Sequence, residues 1–103
     1  MSPRRPGTTT LTLLAAVRDG DTYGLDLVER TGLSSGTVYP ILGRLRRRGW
    51  IDGVWEDQAT ADAEGRPRRK YYRLTGEGRA ILERELARVL ALAEGTDLRG
   101  AQA

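Results

Sequence analysis

SSGTVYPILGRLRRRGWIDGVW, from Ser34 to Trp55, holds two structural patterns in succession. Val38, Ile41, Leu42 and Leu45 recur at the spacing that places them on one helical face. Ser34 stands where a hydroxyl caps a helix N-terminus, and Gly49 where helices often stop. Thr37, Tyr39, Arg44, Arg46, Arg47 and Arg48 occupy the other face, and Trp50 to Trp55 then alternates as a strand bounded by charge. A basic helix feeding a strand is half of a winged helix, and its chemistry points at a nucleic-acid backbone. Pro40 has no N–H for the Gly36 carbonyl and its ring crowds the preceding turn. The helix is therefore expected either to bend there or to open with an irregular turn.

The segments on either side complete this outline. Downstream, GRPRRKYYRL from Gly65 to Leu74 puts Arg66, Arg68, Arg69 and Lys70 on a Gly-Pro turn leading into a second alternating strand, a basic wing. Upstream, Leu11 to Val17 and Tyr23 to Arg30 read as two short helices, capped by Thr8 to Thr10 and by Thr22. Only Thr31, Gly32 and Leu33 separate the second of them from the Ser34 helix, which makes a helix-turn-helix. The acidic stretch EDQATADAE has no apolar periodicity and is expected to be a mobile loop at the tip of the wing. Beyond Thr75, a further cap, a helix from Gly76 carries Ile81, Leu82, Leu86, Val89, Leu90, Leu92 and Ala93 as a stripe broader than one small domain needs, with a stop at Gly95. The division that follows is a flexible basic arm at 1–7, a DNA-binding domain at 8–75, a helix at 76–95 and a disordered tail at 96–103.

Composition narrows the function. The 103 residues suffice for one domain with a modest core, and domains of this size often gain stability from a second subunit. The formal charge of +3 says less than its distribution. Four of the seven residues from Gly43 to Gly49 are Arg, and five of the nine from Gly65 to Arg73 are Arg or Lys. With no Cys and no His there is no disulfide, no thiolate ligand and no imidazole base. The carboxylates Asp52, Glu56, Asp57, Asp62 and Glu64 have no partner base, nucleophile or cofactor cradle, so neither an enzyme, a cofactor nor a metal is expected. No stretch approaches the ~20 apolar residues of a membrane span. The start MSPRRPG lacks the apolar core of a secretion signal, and a soluble cytoplasmic protein is expected.

Four blocks in order then resemble a known family: TYGLDL at Thr22 to Leu27, SGTVYPILGRL at Ser35 to Leu45, RGWIDGVW at Arg48 to Trp55 and GRPRRKYYRLTGEGR at Gly65 to Arg79. Over roughly residues 10 to 92 the chain resembles the PadR-like winged-helix transcriptional regulators, in the short subclass with one C-terminal helix. That resemblance implies an α+β winged helix-turn-helix domain with a C-terminal dimerisation helix. It also implies a homodimer on a pseudo-palindromic operator, which represses transcription until a small-molecule effector loosens it. The loop at Gln58 to Glu64 is longer than the family leads one to expect, and the last helix has no aromatic residue on which to stack a flat ligand.

Ser35, Gly36, Thr37 and Tyr39 are the candidates for the major groove, the hydroxyls contributing positioning and modest base discrimination. Arg44 and Arg47 are candidate phosphate contacts. In the wing, Arg66, Arg68, Arg69 and Lys70 are placed for the backbone and minor groove, Arg66 and Arg68 foremost. Leu82, Leu86, Val89, Leu90 and Ala93 are expected at the dimer interface, with Trp55 and Val89 lining a ligand cavity near it. A different class of function remains open: a winged helix acting as a protein-interaction module without specific DNA binding.

Overall fold

The Ser34–Trp55 stretch folds as helix α3 (Ser35–Arg47) followed by strand β2 (Ile51–Trp55). Between them the chain closes a Schellman turn: Gly49, at φ +77°, donates its N–H to Arg46 O and Trp50 donates to Leu45 O, both at 3.0 Å. Leu45 and Trp50 are then buried in one cluster, so the helix stop is also a core contact. α3 remains helical through Pro40, and its irregularity lies at its start. There the N–H groups of Thr37 and Val38 share the Ser34 carbonyl, each at 3.0 Å. Ser34 holds the N-cap position, but its hydroxyl donates to Thr37 Oγ1 at 3.0 Å instead of capping a backbone N–H.

The computed structural model describes residues 6–20 and 22–102, with side chains as far as Gly95. The expected basic arm lies outside the described residues for 1–5. Helix α1 (Thr8–Arg18) starts after Gly7, with no side-chain cap from the threonines. Strand β1 (Thr22–Tyr23) leads directly into α2 (Gly24–Thr31), so Thr22, expected as a helix cap, is a buried strand residue. Its hydroxyl donates to the Asp26 carboxylate. Gly32, at φ +73°, ends α2 and turns the chain into α3.

Strand β3 (Lys70–Leu74) runs antiparallel between β1 and β2, in the order β1-β3-β2. Its register pairs Tyr72 with both Thr22 and Gly53, and Lys70 with Trp55. The expected loop at the wing tip is instead a short helix, α4 (Gln58–Ala63), with Ala61 buried. Gly65, at φ +66°, reverses the chain out of it.

Helix α5 begins at Gly76 and runs to Gln102, past the expected stop at Gly95 and through most of the expected tail. Thr75 anchors its start, accepting the Gly78 N–H at 3.0 Å and donating to Gly49 O at 2.6 Å. The core gathers Leu13, Leu14 and Val17 of α1, Leu27 of α2, Val38, Ile41, Leu42 and Leu45 of α3, Ile51, Tyr72, and Leu82 of α5. Leu82, expected at a dimer interface, is thus fully enclosed by its own domain.

Candidate nucleic-acid interface

α2, the Gly32 turn and α3 form a helix-turn-helix whose second helix leads with a polar, accessible end. Ser35 and Gly36 are exposed and Thr37 is half-buried. Tyr39 is 47% exposed, and its ring rests against Gly24, where any Cβ would meet it at 2.4 Å. Val38, one position earlier, is wholly buried, so the two faces of α3 have separate work.

Tyr39 also borders a cleft of about 720 Å³ between this helix pair and the wing. Leu25, Trp55, Arg66, Arg68, Arg69, Lys70 and Tyr72 line it as well. The guanidinium of Arg68 and the ammonium of Lys70 lie over the Trp55 ring, at 5.2 and 5.5 Å from its centroid. Arg69 lies 4.1 Å from the centroid of Tyr23, which itself meets Tyr71 edge to face. Cation–π contacts of this kind hold charge in place without neutralising it. Burial raises the pKa of the Tyr72 phenol.

The α3 arginines divide. Arg44 and Arg48 border a small pocket with Pro6, Gly7 and Thr10 at the start of α1, away from the cleft. Arg48 stacks on Trp50 at 5.0 Å. Arg46 and Arg47 are exposed.

Arg66 differs most from expectation. Its guanidinium donates to both oxygens of Glu56, at 2.5 and 2.8 Å, and through Nε to Glu64 at 2.7 Å. The Glu56 side chain is only 7% exposed. The hydrogen bonds from Arg66, opposed by burial and helped by the Arg69 N–H, bring the Glu56 pKa down from 4.5 to about 2. The same bonds raise the pKa of Arg66 above its ordinary value. Arg66 is therefore committed to carboxylates, whereas Arg68 is exposed, Arg69 and Lys70 are half-buried, and each of these three holds its charge over an aromatic ring. The pair is invisible to a reading by composition, because Glu56 stands ten positions upstream in a stretch that looks like loop.

The two residues expected to line one ligand cavity are separated. Trp55, 56% exposed, is in the cleft beside the wing. Val89 borders a different groove of about 600 Å³, with Leu86 of α5 and Leu11, Ala15 and Ala16 of α1. Among the described residues, no group of three or more His, Cys, Asp or Glu is placed to hold a metal. No helix among them is long and apolar enough to cross a membrane.

A helix-turn-helix with a polar leading end, backed by a three-stranded sheet and flanked by a basic hairpin, defines a winged-helix DNA-binding transcriptional regulator. The chain belongs to the transcriptional regulator PadR-like family, whose sequence profile matches residues 13–84. A PadR family transcriptional regulator from Eggerthella lenta has 28% identity and a TM-score of 0.72, the alignment covering 90% of this chain and 81% of that one. A PadR-like transcriptional regulator from Bacillus cereus has 25% identity and a TM-score of 0.71, over 94% of each chain. The PcaV transcriptional regulator of Streptomyces coelicolor, solved in complex with its natural ligand, has 27% identity and a TM-score of 0.75, over 93% of this chain and 64% of its own. Comparison with curated proteins gives no match.

Proposed function

We propose that the chain acts as a homodimer that recognises a pseudo-palindromic operator and represses transcription from it. The observation that carries this reading is the shared cleft: Tyr39 of α3 and Arg68, Arg69 and Lys70 of the wing line one concavity. A DNA strand passing from major to minor groove would meet both elements in turn. Ser35, Thr37 and Tyr39 would then address base edges, with the Gly36 backbone closing on the strand. The wing cations would address phosphates on the minor-groove side. Arg44 and Arg47 would add charge at the far end of the helix.

Dimerisation is supported by α5, where Leu86, Val89 and Leu90 are exposed beyond the domain's own core. An apolar row on a helix that projects from its domain suits a second copy of the same helix. A small-molecule effector suits the groove beside Val89, between α1 and α5, because an occupant there would change the separation of the two recognition helices. Half-sites lie about 34 Å apart, one helical turn, so a small change in that separation prevents both from being engaged at once.

Titration of a fluorescent duplex from the gene's own upstream region, with light scattering on the complex, tests the reading. The expected result is saturable retardation by two chains per duplex that competing DNA of unrelated sequence does not abolish. A dimer that gives no specific complex at low salt would overturn it and favour a protein-interaction module.

A further inference from the structure

We infer that Glu56 and Arg66 form a latch that sets the position of the wing, so that Arg66 serves DNA binding as a positioning residue and does not itself touch the DNA. The ladder between β2 and β3 has its last rung where Glu56 donates its N–H to Arg69 O at 2.8 Å. Past that rung the chain leaves the sheet, forms α4 and returns. The bonds that secure the return converge on Glu56. Its carboxylate takes both Arg66 donors and also the Arg69 backbone N–H, at 3.2 Å, while its carbonyl takes Arg68 Nε at 3.1 Å. One residue therefore orients the chain at all three of Arg66, Arg68 and Arg69. Arg66 adds a tie to α4, through Glu64 and through its own N–H to Ala61 O at 3.1 Å.

Geometry also opposes a phosphate interaction by Arg66. Swinging its guanidinium to DNA would abandon a nearly enclosed carboxylate and leave that negative charge unpaired beside the incoming phosphates. Arg69 and Lys70 face no such penalty, since their charged groups rest on aromatic rings, and Arg68, over Trp55, would give up one hydrogen bond to a carbonyl without leaving a buried charge unpaired. The inference rests on the reading that these three cations meet the DNA backbone.

Glu56→Gln separates the latch from simple electrostatics, because the two predict opposite signs. The substitution removes a negative charge from the wing, which by charge alone tightens DNA binding and steepens its salt dependence. If the latch is real, the wing cations lose their register. Operator binding by folded protein then weakens by about tenfold, and the plot of log K against log salt flattens by about 0.9 for each phosphate the wing no longer reaches. A merely structural role would lower the melting temperature and leave that slope unchanged. Arg66→Lys, which keeps the charge but lacks the planar two-donor fork, should reproduce the effect. It also carries the test if Glu56→Gln does not fold. In an E56Q/R66K double variant the losses should not add.

Unchanged or tighter binding by E56Q, or by R66K where that variant is the one tested, would overturn the latch. A triple Arg68→Gln, Arg69→Gln, Lys70→Gln variant is the control for the underlying reading. If it leaves affinity and slope unaltered, the wing itself does not touch DNA, whatever the latch variants do.

Discussion

The ring of Tyr39 occupies the space into which a side chain at Gly24 would extend: a Cβ there stands 2.4 Å from Tyr39 Cε1 and 2.8 Å from its hydroxyl oxygen. The first residue of α2 thus determines where an exposed residue of α3 lies. Gly24→Ala would push the ring aside, and because the ring has open solvent on its other side the displacement costs little stability. We expect a change in unfolding free energy of about 1 kcal/mol or less, but operator affinity several-fold lower. Paired thermal melts and duplex titrations check this. Wild-type affinity in the variant would remove Tyr39 from the interface.

A second close approach, at Gly78, has the opposite character. A Cβ on Gly78 would fall 1.9 Å from the Trp50 carbonyl oxygen, and that oxygen already accepts the Thr75 N–H at 3.1 Å. Backbone is on both sides of the clash, so nothing can rotate away. Gly78→Ala must separate α5 from the start of β2 and should destabilise by about 3 kcal/mol or more. Chemical denaturation measures it; a loss under about 1 kcal/mol would mean that α5 is free to shift at this point.

These two glycines show which parts of the molecule could be read from sequence and which could not. The α3 helix was legible because Val38, Ile41, Leu42 and Leu45 repeat with its period and Gly49 ends it locally. The wing strands were legible from their alternation. β1 was not, since two residues carry no period and Thr22 becomes a strand only because β3 is beside it. α4 was not either: QATADA buries one alanine, and the hairpin around it supplies the rest of its support. The basic face was visible as composition, but not its division between cations held over aromatic rings and one that braces the wing. Arg66 and Arg68 look alike in GRPRR, and what separates them is the carboxylate that hairpin register brings to Arg66.

The latch has its own pH signature. Folding lowers the Glu56 pKa from 4.5 to about 2, so the folded state holds on to the ionised form through that interval. The stabilisation is therefore complete above about pH 4.5 and is lost as pH falls toward 2. Comparison with Glu56→Gln isolates the contribution of this one carboxylate. The melting-temperature gap between wild type and this variant should be constant from neutral pH down to the upper limit and close below it. A gap that persists undiminished to pH 2 would mean that the carboxylate gains nothing from Arg66.

On α5 a few positions separate folding from assembly. Leu82 is wholly buried in the domain core, whereas Leu86, Val89 and Leu90 are 38, 45 and 59% exposed. A glutamate at 82 places a charge where no partner waits and should unfold the chain. A glutamate at Val89 or Leu90 meets solvent in a lone subunit and costs it little. If a second α5 covers the row, however, each such side chain contributes up to about 1.5–3 kcal/mol on full burial, and a charge in its place both removes that and demands desolvation. Val89→Glu and Leu90→Glu should thus give folded monomers by light scattering, with helical content intact. Operator affinity should fall steeply as well, because a monomer engages one half-site at a time and forgoes the second altogether. A Leu90→Glu protein that stays dimeric and binds normally would exclude this face of α5 as the interface, and the subunits would then have to meet elsewhere.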